Sequence, residues 1–209
     1  AIDAFEQAIV INPNYVNAHY NLGLALIQLD RIDDAVYAFD QALEIDPTNT
    51  LVLYQRGTVL IQLHRYAEAA EDLDGVLAQL PQNTGALFNK GIALFHLLRY
   101  QEALVSFDTA LELNPSLIDG WIFKGRTLDK LGLPDDAISA LDKALELNPR
   151  HAHAAVQKGI ILVSLHRHEE AIVLLNRALE EQPDNDRAWC NKGIALSALE
   201  RFEEAIRSF

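Results

Sequence analysis

The sequence predicts an all-α fold, an α-solenoid of antiparallel helix hairpins with a 34-residue repeat. Three residue types keep this period along the 209 residues. The prolines stand at Pro13, Pro47, Pro81, Pro115, Pro149 and Pro183. A glycine follows each proline by ten residues, at Gly23, Gly57, Gly91, Gly125, Gly159 and Gly193. An alanine follows each glycine by twelve residues, at Ala35, Ala69, Ala103, Ala137, Ala171 and Ala205. Three residue types that recur with the same period indicate repeated supersecondary units.

The first helix of each unit is predicted after the proline. Residues 16–29, VNAHYNLGLALIQL, place apolar side chains at helical spacing, and residues 85–98, GALFNKGIALFHLL, do the same. The turn that follows is also repeated, because LHRYAEA, LLRYQEA and LERFEEA share one pattern. Each unit therefore continues from this turn into a second helix.

The second helix is predicted around the periodic alanine, as in residues 33–45, DDAVYAFDQALEI. An acidic residue occupies its first turn in every unit, at Asp34, Glu68, Glu102, Asp136, Glu170 and Glu204. The helix dipole favours negative charge at this end. The next periodic proline ends the helix, because it lacks an N–H and disfavours helical geometry in the residue before it.

Composition and charge narrow the classes of function. With 50% hydrophobic and 22% charged residues, the chain can bury a large core. The net charge of −13 disfavours nucleic acid and anionic membranes as partners. The single Cys190 cannot form an internal disulfide, and no apolar run approaches the roughly 20 residues that cross a bilayer. We therefore expect no nucleic-acid partner, no membrane insertion and a cytoplasmic location.

The repeats resemble the tetratricopeptide repeat family over the whole chain. If Val16 is position 1 of a unit, the family's signature positions 4, 7, 8, 11, 20, 24, 27 and 32 are His19, Leu22, Gly23, Leu26, Ala35, Phe39, Ala42 and Pro47. Trp121 and Trp189 occupy position 4 in later units. The resemblance implies a right-handed superhelix in which small residues at positions 8, 20 and 27 let helices approach closely.

This register divides residues 1–209 into a single array. It has a part-repeat at 1–15, repeats at 16–49, 50–83, 84–117, 118–151 and 152–185, and a part-repeat at 186–209. Both ends lack the polar capping element that repeat arrays need for solubility. We therefore expect a fragment of a longer protein, or exposed ends that stack between molecules.

The resemblance also implies a concave groove lined by the first helices, where extended peptides or partner helices bind. We expect its lining to be mostly apolar at positions 5 and 9, with carboxamides at position 6. The candidate residues are Tyr20, Asn21, Leu24, Tyr54, Gln55, Thr58, Phe88, Asn89, Ile92, Arg126, Gln157 and Asn191. The amides could pair with the backbone of an extended peptide, although Asn at position 6 is also common in the family for reasons of fold.

Two charged patterns need separate interpretations. Arg126 could receive a ligand carboxylate, or it could pair with Asp129, which lies three residues away on the same helix face. Position 7 is basic where the family usually has leucine, at Arg56, Lys90, Lys124, Lys158 and Lys192. Position 25 is acidic or an amide, at Asp40, Asp74, Asp108, Asp142 and Asn176. We expect a ladder of ion pairs between helices, with the lysine stems covering apolar surface.

No residue pattern predicts catalysis or a metal site. The histidine pairs 151/153 and 166/168 are two residues apart, so their side chains do not share a helix face. The carboxylates recur with the repeat, as expected of a solvated face, and no glycine-rich phosphate loop is present. We expect no enzyme activity and no cofactor.

Three functions remain open. The first is a protein–protein interaction scaffold that binds a peptide or helix of a partner in the groove. The second is a self-assembly module that forms homo-oligomers through the repeat ends or the convex face. The third is a regulatory region of a larger enzyme. The family's clamp for chaperone carboxyl termini has Lys at position 5 and Asn at position 9, which this chain lacks, so a role as chaperone co-factor is disfavoured.

Overall fold

The computed structural model describes residues 1–208, and this part of the chain is helical with short turns and no strand. It divides into two compact units, the first from Ala1 to Leu113 and the second from Asn114 onward. Unit 1 contains α1 (Ile2–Ile11), α2 (Val16–Ile27), α3 (Ile32–Ile45), α4 (Thr50–Gln62), α5 (Tyr66–Gln79), α6 (Thr84–His96) and α7 (Tyr100–Leu113). Unit 2 contains α8 (Ile118–Lys130), α9 (Pro134–Leu147), α10 (Ala152–Ser164), α11 (His168–Glu181), α12 (Asp186–Ala198) and α13 (Phe202–Ile206).

Successive helices pack as hairpins within each unit. In unit 1, α2 packs on α3, α4 on α5 and α6 on α7, and the second helix of one hairpin packs on the first helix of the next. In unit 2, α8 pairs with α9, α10 with α11 and α12 with α13. The predicted all-helical array of hairpins is therefore confirmed.

Each hairpin turn passes through the left-handed backbone region at one residue. That residue is Asp30, His64, Leu98, Gly132, His166 or Glu200, with φ between 59° and 75°. The next residue donates its N–H back to the first helix, as Arg65 does to the carbonyl of Leu60 at 2.8 Å. This is the Schellman arrangement, which satisfies a carbonyl at the end of a helix. Only one of these turns has the glycine that normally fills the position.

The loops between hairpins supply side-chain caps for several first helices. The side-chain oxygens of Asn49, Asn83 and Asn185 accept the N–H groups of the third helical residues of α4, α6 and α12. The ring nitrogen Nδ1 of His151 accepts from Ala154 in the same way. Such caps contribute about 1 kcal/mol each, so the loop sequence helps to fix where these helices begin.

In three repeats the side chain at position 4 contacts a carbonyl of the loop that precedes the first helix. The indole N–H groups of Trp121 and Trp189 donate to the carbonyls of Pro115 and Pro183 at 2.9 and 2.8 Å. The Nε2 atom of His19 lies 2.9 Å from the carbonyl oxygen of Pro13. The histidine therefore replaces tryptophan as the partner of this carbonyl.

The seam of each hairpin is closed by the periodic small residues. The alanines at position 20 are 0% exposed from Ala35 to Ala171, and the position 24 side chains Phe39, Leu73, Phe107, Leu141 and Leu175 are equally buried. A Cβ atom built on Gly23 would lie 2.5 Å from the Phe39 ring, and one on Gly125 would lie 2.8 Å from Leu141. At Gly23 and Gly125, glycine is thus required by the close approach of the side chain at position 24.

Candidate functional site

Unit 1 presents three aromatic rings at the same repeat position. Tyr20 on α2, Tyr54 on α4 and Phe88 on α6 are all half-buried. The rings of Tyr20 and Phe39 have centroids 6.1 Å apart, and those of Phe88 and Phe107 are 5.9 Å apart, each pair tilted. The inner edge of each of these two rings is therefore held by the core, while part of its surface stays accessible.

Tyr54 is positioned by a glycine on the next first helix. A Cβ atom on Gly85 would lie 2.6 Å from the Tyr54 hydroxyl oxygen, so the tyrosine occupies space that any larger residue at position 85 would need. Gly85 lies near the start of α6, and α4 packs on α6. The Tyr54 side chain therefore reaches from one hairpin to its neighbour.

Polar groups accompany these rings. The amide nitrogen of Asn89 donates to the hydroxyl oxygen of Thr58 at 3.1 Å, and that hydroxyl donates to the carbonyl of Tyr54 at 2.9 Å. The amide of Asn21 donates to the carbonyl of Asn17 on its own helix at 2.7 Å. Each of these two amides thus uses a donor within the protein, and a carboxamide still has a second N–H and an acceptor oxygen. Gln55 is half-buried on α4.

The nine unit 1 candidates share one property, which is partial exposure beside the core. The structure leaves Tyr20, Asn21, Leu24, Tyr54, Gln55, Thr58, Phe88, Asn89 and Ile92 half-buried. They lie on α2, α4 and α6, and α4 and α6 are in direct contact. We call these nine residues the unit 1 surface.

Position 5 behaves differently in unit 2. Ile122 and Val156 are only 1% and 2% exposed, so they belong to the core and leave no apolar anchor at that position. The expected apolar lining therefore does not extend to these two positions. An aliphatic side chain is shorter than a tyrosine or phenylalanine ring, and it can be enclosed entirely by the hairpin seam.

The three unit 2 candidates lie in a charged setting. Arg126 is half-buried, with its guanidinium carbon 4.7 Å from the centroid of the Phe123 ring, a favourable cation–π arrangement. Gln157 is buried at 8% exposure, and its amide nitrogen lies 2.9 Å from Nε2 of His153. Asn191 donates to the carbonyl of Arg187 at 2.8 Å. The ion pair between Arg126 and Asp129 stays a prediction.

The ladder of ion pairs is present in three places. Position 7 of one repeat contacts position 25 of the preceding repeat in the pairs Arg56–Asp40, Lys90–Asp74 and Lys158–Asp142, each at 2.5 Å. Every pair joins the first helix of a hairpin to the second helix of the hairpin before it. The predicted ladder is confirmed at these positions, and it contributes to the alignment of neighbouring hairpins.

The structure shows a second acidic partner of Arg56, Asp72, which the repeat pattern did not predict. Asp72 accepts two hydrogen bonds from Arg56, at 2.8 Å from Nε and 2.6 Å from Nη2. Position 23 is occupied by small or apolar residues in other units, such as Ala38, Ser106 and Ala140. The acidic Asp72 at this position is the sequence feature from which its pairing with a basic residue could have been predicted.

The remaining expectations concern metals and membranes. Among residues 1–208, no group of three or more His, Cys, Asp or Glu side chains is placed to hold a metal ion. No helix in this described part of the chain has both the length and the apolar composition needed to span a bilayer.

The fold defines a class: proteins built from repeated helical hairpins. Sequence models of the tetratricopeptide repeat match residues 16–49, residues 54–118 with 124–186, and residues 174–207, and a TPR repeat model matches residues 1–30. The chain belongs to the tetratricopeptide repeat family. In general terms it is therefore a protein-interaction scaffold.

Solved structures agree with this assignment. YrrB, described as a TPR protein with an unusual peptide-binding site, is 26% identical with a TM-score of 0.74, over 96% of this chain and 100% of that chain. A tetratricopeptide repeat protein from Parabacteroides merdae ATCC 43184 is 18% identical with a TM-score of 0.81, over 100% of this chain and 82% of that chain. MamA from Desulfovibrio magneticus RS-1 is 21% identical with a TM-score of 0.76, over 82% of this chain and 97% of that chain. No curated protein sequence matches significantly.

Proposed function

We propose that the chain is a protein-interaction scaffold that binds a peptide or helix of a partner on the unit 1 surface. The observation that supports this most directly is the series of half-buried rings at one repeat position, Tyr20, Tyr54 and Phe88. Aromatic side chains that are fixed on one side and accessible on the other are typical anchors of protein interfaces. The similar protein YrrB is described as having a peptide-binding site, which supports the same role here.

The chemistry of the surface suggests a modest affinity. Each ligand side chain buried against a ring gains roughly 1.5–3 kcal/mol, and each hydrogen bond adds about 1 kcal/mol net. Association costs at least about 4 kcal/mol of lost freedom. Two or three anchors with a few amide contacts therefore give a dissociation constant near the micromolar range, which suits reversible binding.

The test begins with an affinity pull-down that uses the wild-type chain and a Tyr54→Ala/Phe88→Ala variant. A partner retained by the wild type alone is mapped to a short segment, and the synthetic segment is titrated calorimetrically into both proteins. We expect the double variant to bind at least about tenfold more weakly, because two apolar anchors are lost.

A matched control removes exposed apolar surface elsewhere in the same unit. Tyr37 on α3 and Val105 on α7 are each 66% exposed, and Tyr37→Ala/Val105→Ala should leave the affinity unchanged. Equal affinity of the segment for wild type and the Tyr54→Ala/Phe88→Ala variant would refute the proposal. Light scattering over a concentration series separates partner binding from self-assembly, because a scaffold of this kind does not grow in mass as its concentration rises.

A further inference from the structure

Unit 2 brings three basic side chains together from three helices. Arg126 lies on α8, His153 on α10 and Arg187 on α12, and α10 packs on both α8 and α12. The charge of Arg187 acts on Arg126, and the charges of both arginines act on the His153 ring. We call these three residues the basic cluster.

The surroundings of the basic cluster hold its members in place. The Phe123 ring supports the Arg126 guanidinium at 4.7 Å, and the amide of Gln157 lies 2.9 Å from the ring nitrogen Nε2 of His153. The side chain of Arg187 is exposed, and within residues 1–208 no carboxylate forms an ion pair with its guanidinium. A ligand can therefore reach this part of the cluster.

The electrostatics of the cluster oppose those of the whole chain. Loss of water contact lowers the pKa of Arg126 below its ordinary value, and the positive charge of Arg187 lowers it further. The pKa of His153 is also lowered, first by desolvation and then by Arg126, Arg187 and His151, while Asp119 acts in the opposite direction. Like charges held together in a chain with net charge −13 repel each other, and an anion placed among them relieves that repulsion.

We propose that the basic cluster binds side-chain carboxylates of an acidic segment in a partner protein. This inference rests on the proposed function, because it gives the chemistry of a ligand on the same scaffold. Guanidinium groups donate paired hydrogen bonds that match the geometry of a carboxylate. A short acidic segment brings few charges, whereas a nucleic acid brings a continuous row of phosphates that the surrounding acidic surface repels.

The position of His153 makes the binding dependent on pH. In the free protein its pKa lies below the ordinary value of 6.5, so the ring is mostly neutral at pH 7.5. Bound carboxylates favour the protonated ring, so binding takes up a proton and becomes tighter as the pH falls below about 7.5. The charged groups that act on the ring are Asp119 and Arg126 of α8, His151 just before α10, and Arg187 of α12.

The experiment is a fluorescence anisotropy titration of the full chain. The probe is a labelled peptide rich in glutamate, acetylated at its amino end and amidated at its carboxyl end, and its counterpart has every glutamate replaced by glutamine. We expect the acidic peptide alone to bind, with Arg126→Gln and Arg187→Gln each weakening it by about tenfold or more. Arg177→Gln, an exposed arginine on α11, makes the same change in net charge and should have little effect. Circular dichroism confirms that each variant is folded.

The pH arm uses His153→Gln, which should abolish the gain in affinity between pH 7.5 and 6. Equal binding of the two peptides, or an equal loss with Arg177→Gln, overturns the proposal. Displacement of the acidic peptide by inorganic phosphate at comparable concentration also overturns it, because the cluster would then be a general anion site.

The two proposals fail separately in this design. Acidic-peptide binding that Arg126→Gln and Arg187→Gln leave unchanged overturns the basic cluster alone. Equal affinity of the partner segment for wild type and Tyr54→Ala/Phe88→Ala overturns the unit 1 surface alone.

Discussion

Asp72 accepts hydrogen bonds from Nε and Nη2 of Arg56 while only 5% of its side chain is exposed. Burial raises the pKa of Asp72, and the hydrogen bonds from Arg56 act against that rise. The pKa of Arg56 is raised, chiefly by its hydrogen bond to Asp72. Arg56 also contacts Asp40, whose side chain is 41% exposed. The guanidinium therefore links three helices, α3, α4 and α5, through one buried and one exposed carboxylate.

We predict that Asp72→Ala destabilises the chain by about 3 kcal/mol, at the lower end for a broken buried ion pair because Arg56 keeps Asp40. Urea unfolding followed by circular dichroism measures this loss. Replacing both partners, as Arg56→Leu/Asp72→Leu, should recover most of it, because no unpaired charge is then left in the seam.

The control for this prediction is the exposed pair of the same ladder. Asp74 has a 58% exposed side chain beside Lys90, so Asp74→Ala should cost less than about 1 kcal/mol. Equal losses for Asp72→Ala and Asp74→Ala would show that burial of the pair contributes nothing.

We predict that Leu98→Gly stabilises the chain slightly. Leu98 has φ 61° and is 70% exposed, so it bears the cost of the left-handed conformation and buries little surface in return. That conformation costs an L-residue roughly 1–2 kcal/mol, and glycine gives back roughly 0.5–1 kcal/mol through its greater freedom when unfolded. Thermal unfolding should therefore move upward by a small amount.

Gly132 provides the reverse experiment at the same repeat position. It has φ 75°, and a Cβ atom there would meet nothing within 4 Å, so Gly132→Leu tests the backbone alone. We expect a loss of stability in Gly132→Leu opposite in sign to the change in Leu98→Gly. The same sign for both would rule out backbone strain as the cause.

These turns show what the sequence can and cannot predict. The periodic proline, glycine and alanine recur in every unit, so the helices and their hairpin pairing follow from a pattern that is repeated many times. Asp72 occurs once, and its role depends on which side chain of a neighbouring helix reaches it, so the repeat gave no expectation for it. The burial of Ile122 and Val156 is similar, because repeat position predicts the face of a helix but not how deeply a particular side chain sits.

The repeat predicted which residues of the unit 1 surface lie on the first helices, but not their contacts with neighbouring hairpins. Position 5 put Tyr20, Tyr54 and Phe88 on first helices, and the structure leaves all three accessible. The sequence did not predict that Gly85 accommodates Tyr54, because this contact joins two different hairpins. Nor did it bring His153 and Arg187 next to Arg126, because each comes from a different repeat and the three residues do not form a series at one position: His153 and Arg187 are at position 2, and Arg126 is at position 9.

We predict that Gly91→Ala is more destabilising than Gly57→Ala. A Cβ atom on Gly91 would overlap the ring of Phe107, whereas one on Gly57 would lie 3.2 Å from Leu73, which a small shift accommodates. Overpacking of this kind costs typically 1–3 kcal/mol, so we expect a loss of about that size for Gly91→Ala and a smaller one for Gly57→Ala. Urea unfolding compares the two variants directly.

A second substitution tests the cause of that difference. Leucine occupies position 24 at Leu73, where a Cβ atom on Gly57 would lie 3.2 Å away, so Phe107→Leu should relieve the overlap with the ring. The penalty of Gly91→Ala measured in the Phe107→Leu background should then fall to that of Gly57→Ala. An unchanged penalty would mean that the ring is not the source of the clash.

We predict that four exposed glutamates steepen the loss of stability in acid. Hydrogen bonds from the arginine three residues earlier lower the pKa values of Glu68, Glu102, Glu170 and Glu204 below 4.5. A carboxylate whose pKa is lower in the folded than in the unfolded state stabilises the fold above its unfolded pKa. That contribution is lost as the pH falls from about 4.5 through the lowered folded values.

Replacing all four glutamates by glutamine should therefore flatten the acid limb of a stability-versus-pH curve measured by urea unfolding. Because these pairs are exposed, 1 M NaCl should reduce the difference between wild type and variant, and a difference that persists undiminished at high salt would exclude the arginine pairs as its source.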